Sequence, residues 1–157
     1  MKIRNALETD YLNIINLFSE LETMHRENHP ERFKKPETDY PNLELYLDMI
    51  RDVNHIVLVA EKNDIICGLL IAEIKDAPEI ATFVKRKYIE LINLVVKEKR
   101  KKIGSFLLDK LESIAKQKEI NQIELNVYAF NKNAYNFYYK NSFKIQSYRM
   151  IKNLCRN

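Results

Sequence analysis

The nine residues YIELINLVV, 88–96, present mostly apolar side chains on both faces of a period-two strand. Such a strand must be covered on both sides, so the rest of the chain has to supply a sheet with helices packed on its two faces. ETDYLNIINLFSELETMH sets Tyr11, Ile14, Ile15, Phe18 and Leu21 on one face of a predicted helix behind a Thr9 or Asp10 cap. Ile103, Leu107, Leu111 and Ile114 recur at helical spacing and predict another helix to about Lys118. RENHPERFKKPETDYP, with three prolines, predicts an ordered loop before a helix over about 42–52.

Residues 2–5 read as a short strand, and HIVLVAEKNDIICGLLIAEIK predicts two strands that turn at Asn63 and Asp64. QIELNVYAF predicts a further strand, NKNAYNFYYKN a short helix capped by Asn131, and FKIQSYRMIK a closing strand. The expected fold class is therefore α/β, a mixed central sheet flanked by helices on both faces. The 157 residues fit one domain, 1–157.

Apolar residues at 46% and charged residues at 31% are enough to bury a core and unlike the composition of a disordered chain. The net charge of +4 is mild, and acidic residues accompany the basic ones almost everywhere. No aromatic stacking motif or recognition-helix pattern goes with them, so no nucleic-acid partner is expected. The opening MKIRNALETDYL lacks the apolar core of a signal peptide, and no apolar run approaches the roughly 18 residues of a membrane span. Cys67 and Cys155 give neither metal-ligand spacing nor a disulfide framework. The expectations are a cytoplasmic protein with no membrane partner and no metal.

Five of the six residues 97–102, KEKRKK, are basic, and they join the apolar strand to the helix that starts near Ile103. A tight strand-to-helix loop aims the first amides of the helix outward with the positive end of the helix dipole behind them, which suits a phosphate. Arg100, Lys101 and Lys102 add charge to such a cradle, and Gly104 with the small Ser105 permits close backbone approach. A solvated charged turn explains the same residues equally well.

Two segments together carry a resemblance: INLVVKEKRKKIGSFLLDKLESIAK, then IELNVYAFNKNAYNFYYKNSFK. They are similar to the pyrophosphate-binding and closing segments of the GNAT family of acetyl-CoA-dependent N-acetyltransferases. The first keeps Arg100 and Gly104 of the family's Arg-x-x-Gly-x-Gly loop, but it lacks the first glycine and is about two residues short. In the second, Ser142 stands where the family usually has Gly before Phe.

The resemblance implies the GNAT acyl-CoA N-acyltransferase fold and acetyl-CoA as cosubstrate. It further implies a primary-amine acceptor that attacks the thioester directly in a ternary complex. Main chain near Leu94, Val95 and Val96 would line pantetheine, and the backbone of Arg100, Lys101, Lys102, Ile103, Gly104 and Ser105 would hold the pyrophosphate. The valine side chains by themselves read as core. Asn131, Ala134 and Tyr138 fall on one helical face, where Tyr138 would protonate the leaving thiolate; an aromatic core stripe with Tyr135 and Phe137 is the structural alternative.

Glu90 is the candidate general base, since apolar neighbours on its strand would raise its pKa, unless its strand-end position lets it reach solvent. His25, His29 and Phe33, with Arg32, lie where this fold covers the acceptor, and they serve equally as loop-packing residues. Homodimers are common among such proteins, which leaves a homodimer open. A non-catalytic acyl-CoA-binding or regulatory module is the alternative, suggested by the shortened loop.

Overall fold

A computed structural model describes residues 1–98 and 101–154. The chain divides into two compact units, Met1–Asn126 and Val127–Asn157.

The first unit is a five-stranded sheet in the order β1 (Lys2–Asn5), β2 (His55–Lys62), β3 (Ile65–Asp76), β4 (Lys87–Val96), β5 (Ile123–Leu125). Neighbours are antiparallel except β4 and β5, so the sheet is mixed as expected. Asn63 and Asp64 both adopt positive φ, 52° and 59°, between β2 and β3. This is the signature of the two-residue hairpin turn whose twist matches that of the strands.

Helices α1 (Tyr11–Asn28) and α2 (Leu43–Arg51) cover one face. There Ile14, Leu17, Phe18 and Tyr46 pack on Val57, Val59, Leu69, Ile71 and Val95 in one buried cluster. Period-two alternation sends Leu58, Ala60, Leu70 and Ala72 to the opposite face, where α3 (Ile103–Gln117) packs on β2, β3 and β4. The helix buries Ile103, Leu107, Leu108, Leu111 and Ala115. Both faces of the central strand are thus covered, as its apolar pattern requires.

Asn42 caps α2 by accepting a hydrogen bond from the Leu45 amide at 2.9 Å. Of the two expected caps, Asp10 occupies the N-cap position of α1, but its side chain makes no cap bond to that helix. Its carboxylate takes the Leu7 amide at 2.8 Å across a short 3-10 turn and two bonds from the Arg4 guanidinium, at 2.7 and 3.0 Å. Arg4 also reaches Glu61 on β2 at 2.6 Å. The buried network ties the chain between β1 and α1 to the sheet. Burial alone would raise the Asp10 pKa, but the Arg4 and Leu7 hydrogen bonds outweigh it and hold the carboxyl below its ordinary value.

The second unit contains α4 (Lys132–Lys140). Two sequence-based expectations for the C-terminal part of the chain fail. The strand predicted over 122–130 shrinks to the three residues of β5, and among the described residues 143–154 form no strand. Alternation makes a segment able to pair but does not supply a partner edge. Ile145, Tyr148, Met150 and Ile151 are all exposed.

Asp10→Asn should destabilise the protein at neutral pH by about 1–3 kcal/mol, the usual cost of a lost charged hydrogen-bond partner. Because the folded-state pKa of Asp10 is depressed, its contribution is complete above the unfolded carboxylate value of about 3.9 and disappears as pH falls through the lower folded value. Urea unfolding of both proteins between pH 7 and pH 2 should show the difference closing only at the acid end. A difference independent of pH would contradict the assignment.

Candidate active site

The strand β4 is irregular at one point. Ile71 pairs with Asn93 while Ala72 pairs with Leu91, so Ile92 is an extra residue that bulges from the ladder and is exposed. On the other edge of β4, β5 pairs only with Ile89, Glu90 and Leu91. Beyond the bulge the backbone groups on that edge have no ladder partner among the described strands. The Lys97 amide donates to the Cys67 carbonyl at 3.0 Å, toward β3. Counting back by twos, the amide of Val95 also faces β3, and those of Leu94 and Val96 face the open edge. The side chain of Val95 is part of the core, as its structural reading held.

Helix α3 begins one short loop later. Lys102 precedes it in a left-handed conformation, φ 59°, and no side chain caps its first turn. The first intrahelical bond runs from the Phe106 amide to the Lys102 carbonyl at 3.0 Å. The amides of Ile103, Gly104 and Ser105 are consequently the donors that helix geometry leaves without partners, with the positive dipole end behind them. Lys101 pairs with Glu98 at 3.4 Å on the surface. Arg100 lies outside the described residues.

Lys102 takes the positive φ at this junction, and among the described residues no glycine has positive φ. A close approach of strand to helix is found at Gly68. A Cβ on Gly68 would meet Ile103 Cγ2 at 2.8 Å, Leu107 Cδ1 at 3.1 Å and Ala60 Cβ at 3.3 Å. Gly68 is also the cross-strand partner of Val96. One residue without a side chain therefore seats the start of α3 against the end of β4. An isolated Gly inside a strand pattern is a signal of close packing, one that sequence reasoning missed here.

Helix α4 carries the other candidate cofactor residues. Asn131 caps it, with Oδ1 accepting from the Ala134 amide at 3.0 Å, which leaves its Nδ2 as the donor for a ligand. The helix ends in a left-handed Ser142, φ 67°. The Ser142 amide bonds the Tyr139 carbonyl at 3.2 Å and the Phe143 amide bonds that of Tyr138 at 3.1 Å. These paired bonds form a Schellman motif, and the apolar contact that accompanies it is the edge-on packing of Phe143 against Tyr138, centroids 5.5 Å apart. Phe137 contacts the same ring at 5.2 Å. Burial pushes the Tyr138 hydroxyl up to about 12, so it stays protonated and able to donate throughout the neutral range.

Glu90 does not sit among apolar neighbours as expected. It is the cross-strand partner of Glu73, and its carboxylate is hydrogen-bonded by the Lys75 ammonium, which also reaches Glu73 at 3.3 Å. The proposed acceptor residues come together at the end of α1. The His25 ring stacks on Phe33 with centroids 5.1 Å apart, and His29 contacts Glu31 at 2.8 Å. The Phe33 amide donates to the His29 carbonyl at 3.0 Å. Burial first, and then the neighbouring His29, lower the His25 pKa. Among the described residues, no group of three or more His, Cys, Asp or Glu side chains is placed to hold a metal ion. No helix among them is long and apolar enough to cross a membrane.

An open strand edge beside an uncapped helix start is an arrangement for binding an extended, anionic ligand through main chain. The profile of the acetyltransferase (GNAT) family matches residues 18–143, and the chain belongs to this family. A search of curated proteins finds no match. Among solved structures, a single-site variant of the BH1408 protein from Bacillus halodurans is 25% identical, with TM-score 0.93 over 99% of this chain and 100% of that one. Aminoglycoside acetyltransferase meta-AAC0020 from an uncultured soil metagenomic sample, in complex with sisomicin, is 17% identical with TM-score 0.74, over 98% of this chain and 96% of that one. Aminoglycoside antibiotic 6'-N-acetyltransferase AAC(6')-IG from Acinetobacter haemolyticus is 13% identical with TM-score 0.76 over both whole chains. The last two share the fold.

Gly68→Ala should lower stability by about 1–3 kcal/mol, because Ile103 is buried and has to move. The same change should weaken coenzyme A binding. A melting curve and a binding isotherm unchanged from wild type would show that the close approach is unimportant. Ser142→Gly should stabilise by about 1 kcal/mol by removing the left-handed penalty of a residue with Cβ, which raises Tm by about 2–4 °C in a chain of this size. Calorimetry showing no gain would rule out strain at Ser142.

Proposed function

We propose that the protein is an acetyl-CoA-dependent N-acetyltransferase that acts on a primary amine of a small molecule or peptide by direct attack in a ternary complex. The observation that carries the proposal is the uncapped start of α3, seated on Gly68 opposite Val96, the last residue of a strand whose other edge has no ladder partner beyond the bulge among the described strands. These residues fit coenzyme A. The amides of Ile103, Gly104 and Ser105 would take the pyrophosphate, with Lys101 and Lys102 adding charge and Arg100 carried over from the family motif. The open-edge amides of Leu94 and Val96 would pair with the pantetheine arm. Asn131 and the small Ala134 are proposed as cofactor residues, carried over from the family's closing segment.

Bound acetyl-CoA supplies an activated acetyl group as a thioester. The chain's own contributions are then to remove a proton from the acceptor ammonium, donate hydrogen bonds to the thioester oxygen, and neutralise the departing thiolate. Glu90 is the proposed base, directly or through water. An open-edge amide of β4 is the proposed oxyanion donor. Tyr138, held protonated by burial, is the proposed donor to the sulfur. His25, His29 and Phe33 are proposed to contact the acceptor. A silent acyl-CoA-binding module is the second reading, favoured by the loop that is about two residues short of the family pattern.

Acetyl-CoA at about 100 times its Kd should stabilise the native state by about 2.7 kcal/mol, read as a raised Tm. Free-thiol release over polyamines, aminoglycosides, amino acids and peptides should then separate enzyme from silent binder. Tyr138→Phe should lower kcat by about 10²-fold, with acetyl-CoA affinity nearly unchanged. A wild-type rate in that variant would remove Tyr138 from the mechanism, and the absence of any thermal shift with acetyl-CoA would refute the proposal as a whole.

A further inference from the structure

Below the bulge at Ile92, on the sheet face that α1 and α2 cover, cross-strand register lines up four ionisable side chains. His55 on β2 is opposite Glu73 on β3, Glu73 is opposite Glu90 on β4, and Glu90 is opposite Glu124 on β5. Each outer member has a local partner of its own. His55 is paired with Asp52 at 2.7 Å, and Glu124 with Arg86 at 2.7 Å, whose guanidinium also lies 4.9 Å from the Tyr88 ring centre. The two inner carboxylates share a single cation, Lys75. Its ammonium hydrogen-bonds Glu90 and stands 3.3 Å from Glu73. Helix α1, which packs on β3 and β4, carries the part-buried charges Glu22, His25 and Arg26, of which Glu22 and Arg26 pair with each other at 3.9 Å. Helix α3 packs on the opposite face.

We propose that Lys75 is a positioning residue for acceptor deprotonation: its ammonium is shared between the cross-strand carboxylates and passes from Glu90 to Glu73 as Glu90 takes up the acceptor's proton. The inference rests on the reading of Glu90 as base. The geometry supplies what such a transfer needs. Glu73 and Lys75 are two apart on β3 and so point to the same face, and both lie next to Glu90 across the ladder. The proton moves from the acceptor ammonium to a Glu90 oxygen, and the amine keeps the lone pair that then attacks the acetyl carbon. Lys75 keeps all three of its protons and only exchanges its hydrogen-bond acceptor. The charge of the Glu73–Lys75–Glu90 group rises by one, from net negative to neutral, without leaving a cation beside a protonated acid. Two like-charged carboxylates directly opposite each other in a sheet are unfavourable without such a cation.

The test is the pH titration of the Glu90 carboxyl by NMR, in protein labelled with 13C-glutamate and assigned through Glu90→Gln, run beside the pH profile of thiol release. Lys75→Met leaves two facing carboxylates without a cation, so the Glu90 midpoint and the acid limb of kcat/KM should both move up by about one pH unit or more. Glu73→Gln leaves Lys75 to Glu90 alone, so both should move down, and Lys75→Arg should restore the wild-type behaviour. A merely structural salt bridge predicts the same movements of the Glu90 midpoint but an acid limb of kcat/KM that stays in place. A Glu90 midpoint that Lys75→Met leaves in place overturns the proposal. A midpoint that moves while the acid limb of a still active enzyme does not also overturns it, and leaves the acetyltransferase reading standing. Wild-type protein that releases no thiol with any amine defeats that reading and the proposal with it.

Discussion

The contact between Gly68 and Ile103 is the constraint on which the rest of the proposed site depends. A helix can lie this close to a strand only where the strand has no side chain in the way, and of the two glycines in the chain one stands at that point. The same residue is in register with Val96, the last residue of β4. The start of α3 is thereby held beside the strand end. Neither element would constitute a site by itself. The helix start offers charge complementarity, and the strand edge offers a line of donors and acceptors for an extended arm.

The bulge at Ile92 divides β4 into two working halves. Toward its C-terminal end the strand contributes core side chains on one face and open-edge backbone groups. Toward its start, where β5 still pairs, it carries Glu90 in a row of charged residues. One extra residue thus changes both which edge is paired and which side chains are opposed. The carboxylate expected among apolar neighbours is hydrogen-bonded instead by an ammonium on the neighbouring strand. In a sheet of this kind a side chain's partners are decided across the ladder as much as along the chain.

Much of the architecture was legible from local pattern. The doubly apolar strand called for cover on both faces, the spacing of Ile103, Leu107 and Leu111 marked α3, and the Asn63–Asp64 pair marked the hairpin, since those residue types tolerate positive φ. Asn131 read correctly as a cap. Two of the failures share a cause, which is that the deciding interaction is remote in sequence. Alternation over 143–152 carries no information about whether an edge awaits it. Lys75 lies 15 residues from Glu90, and only the register of β3 against β4, shifted at the bulge, brings them together. The left-handed position before α3 falls on Lys102, a residue type that no turn signal marks for it. Asp10 was read as a cap by type and spacing, and its side chain was drawn instead to Arg4, an interaction that needs the folded turn between them.

The central claim is that main-chain amides of α3 and β4 together bind coenzyme A. Titrating coenzyme A into 15N-labelled protein and following assigned amide resonances tests it directly. The account predicts saturable shifts that are largest at Ile103, Gly104 and Ser105 and at Leu94 and Val96, with one common dissociation constant. Saturation with those five amides unmoved, or no response from any amide, would contradict it.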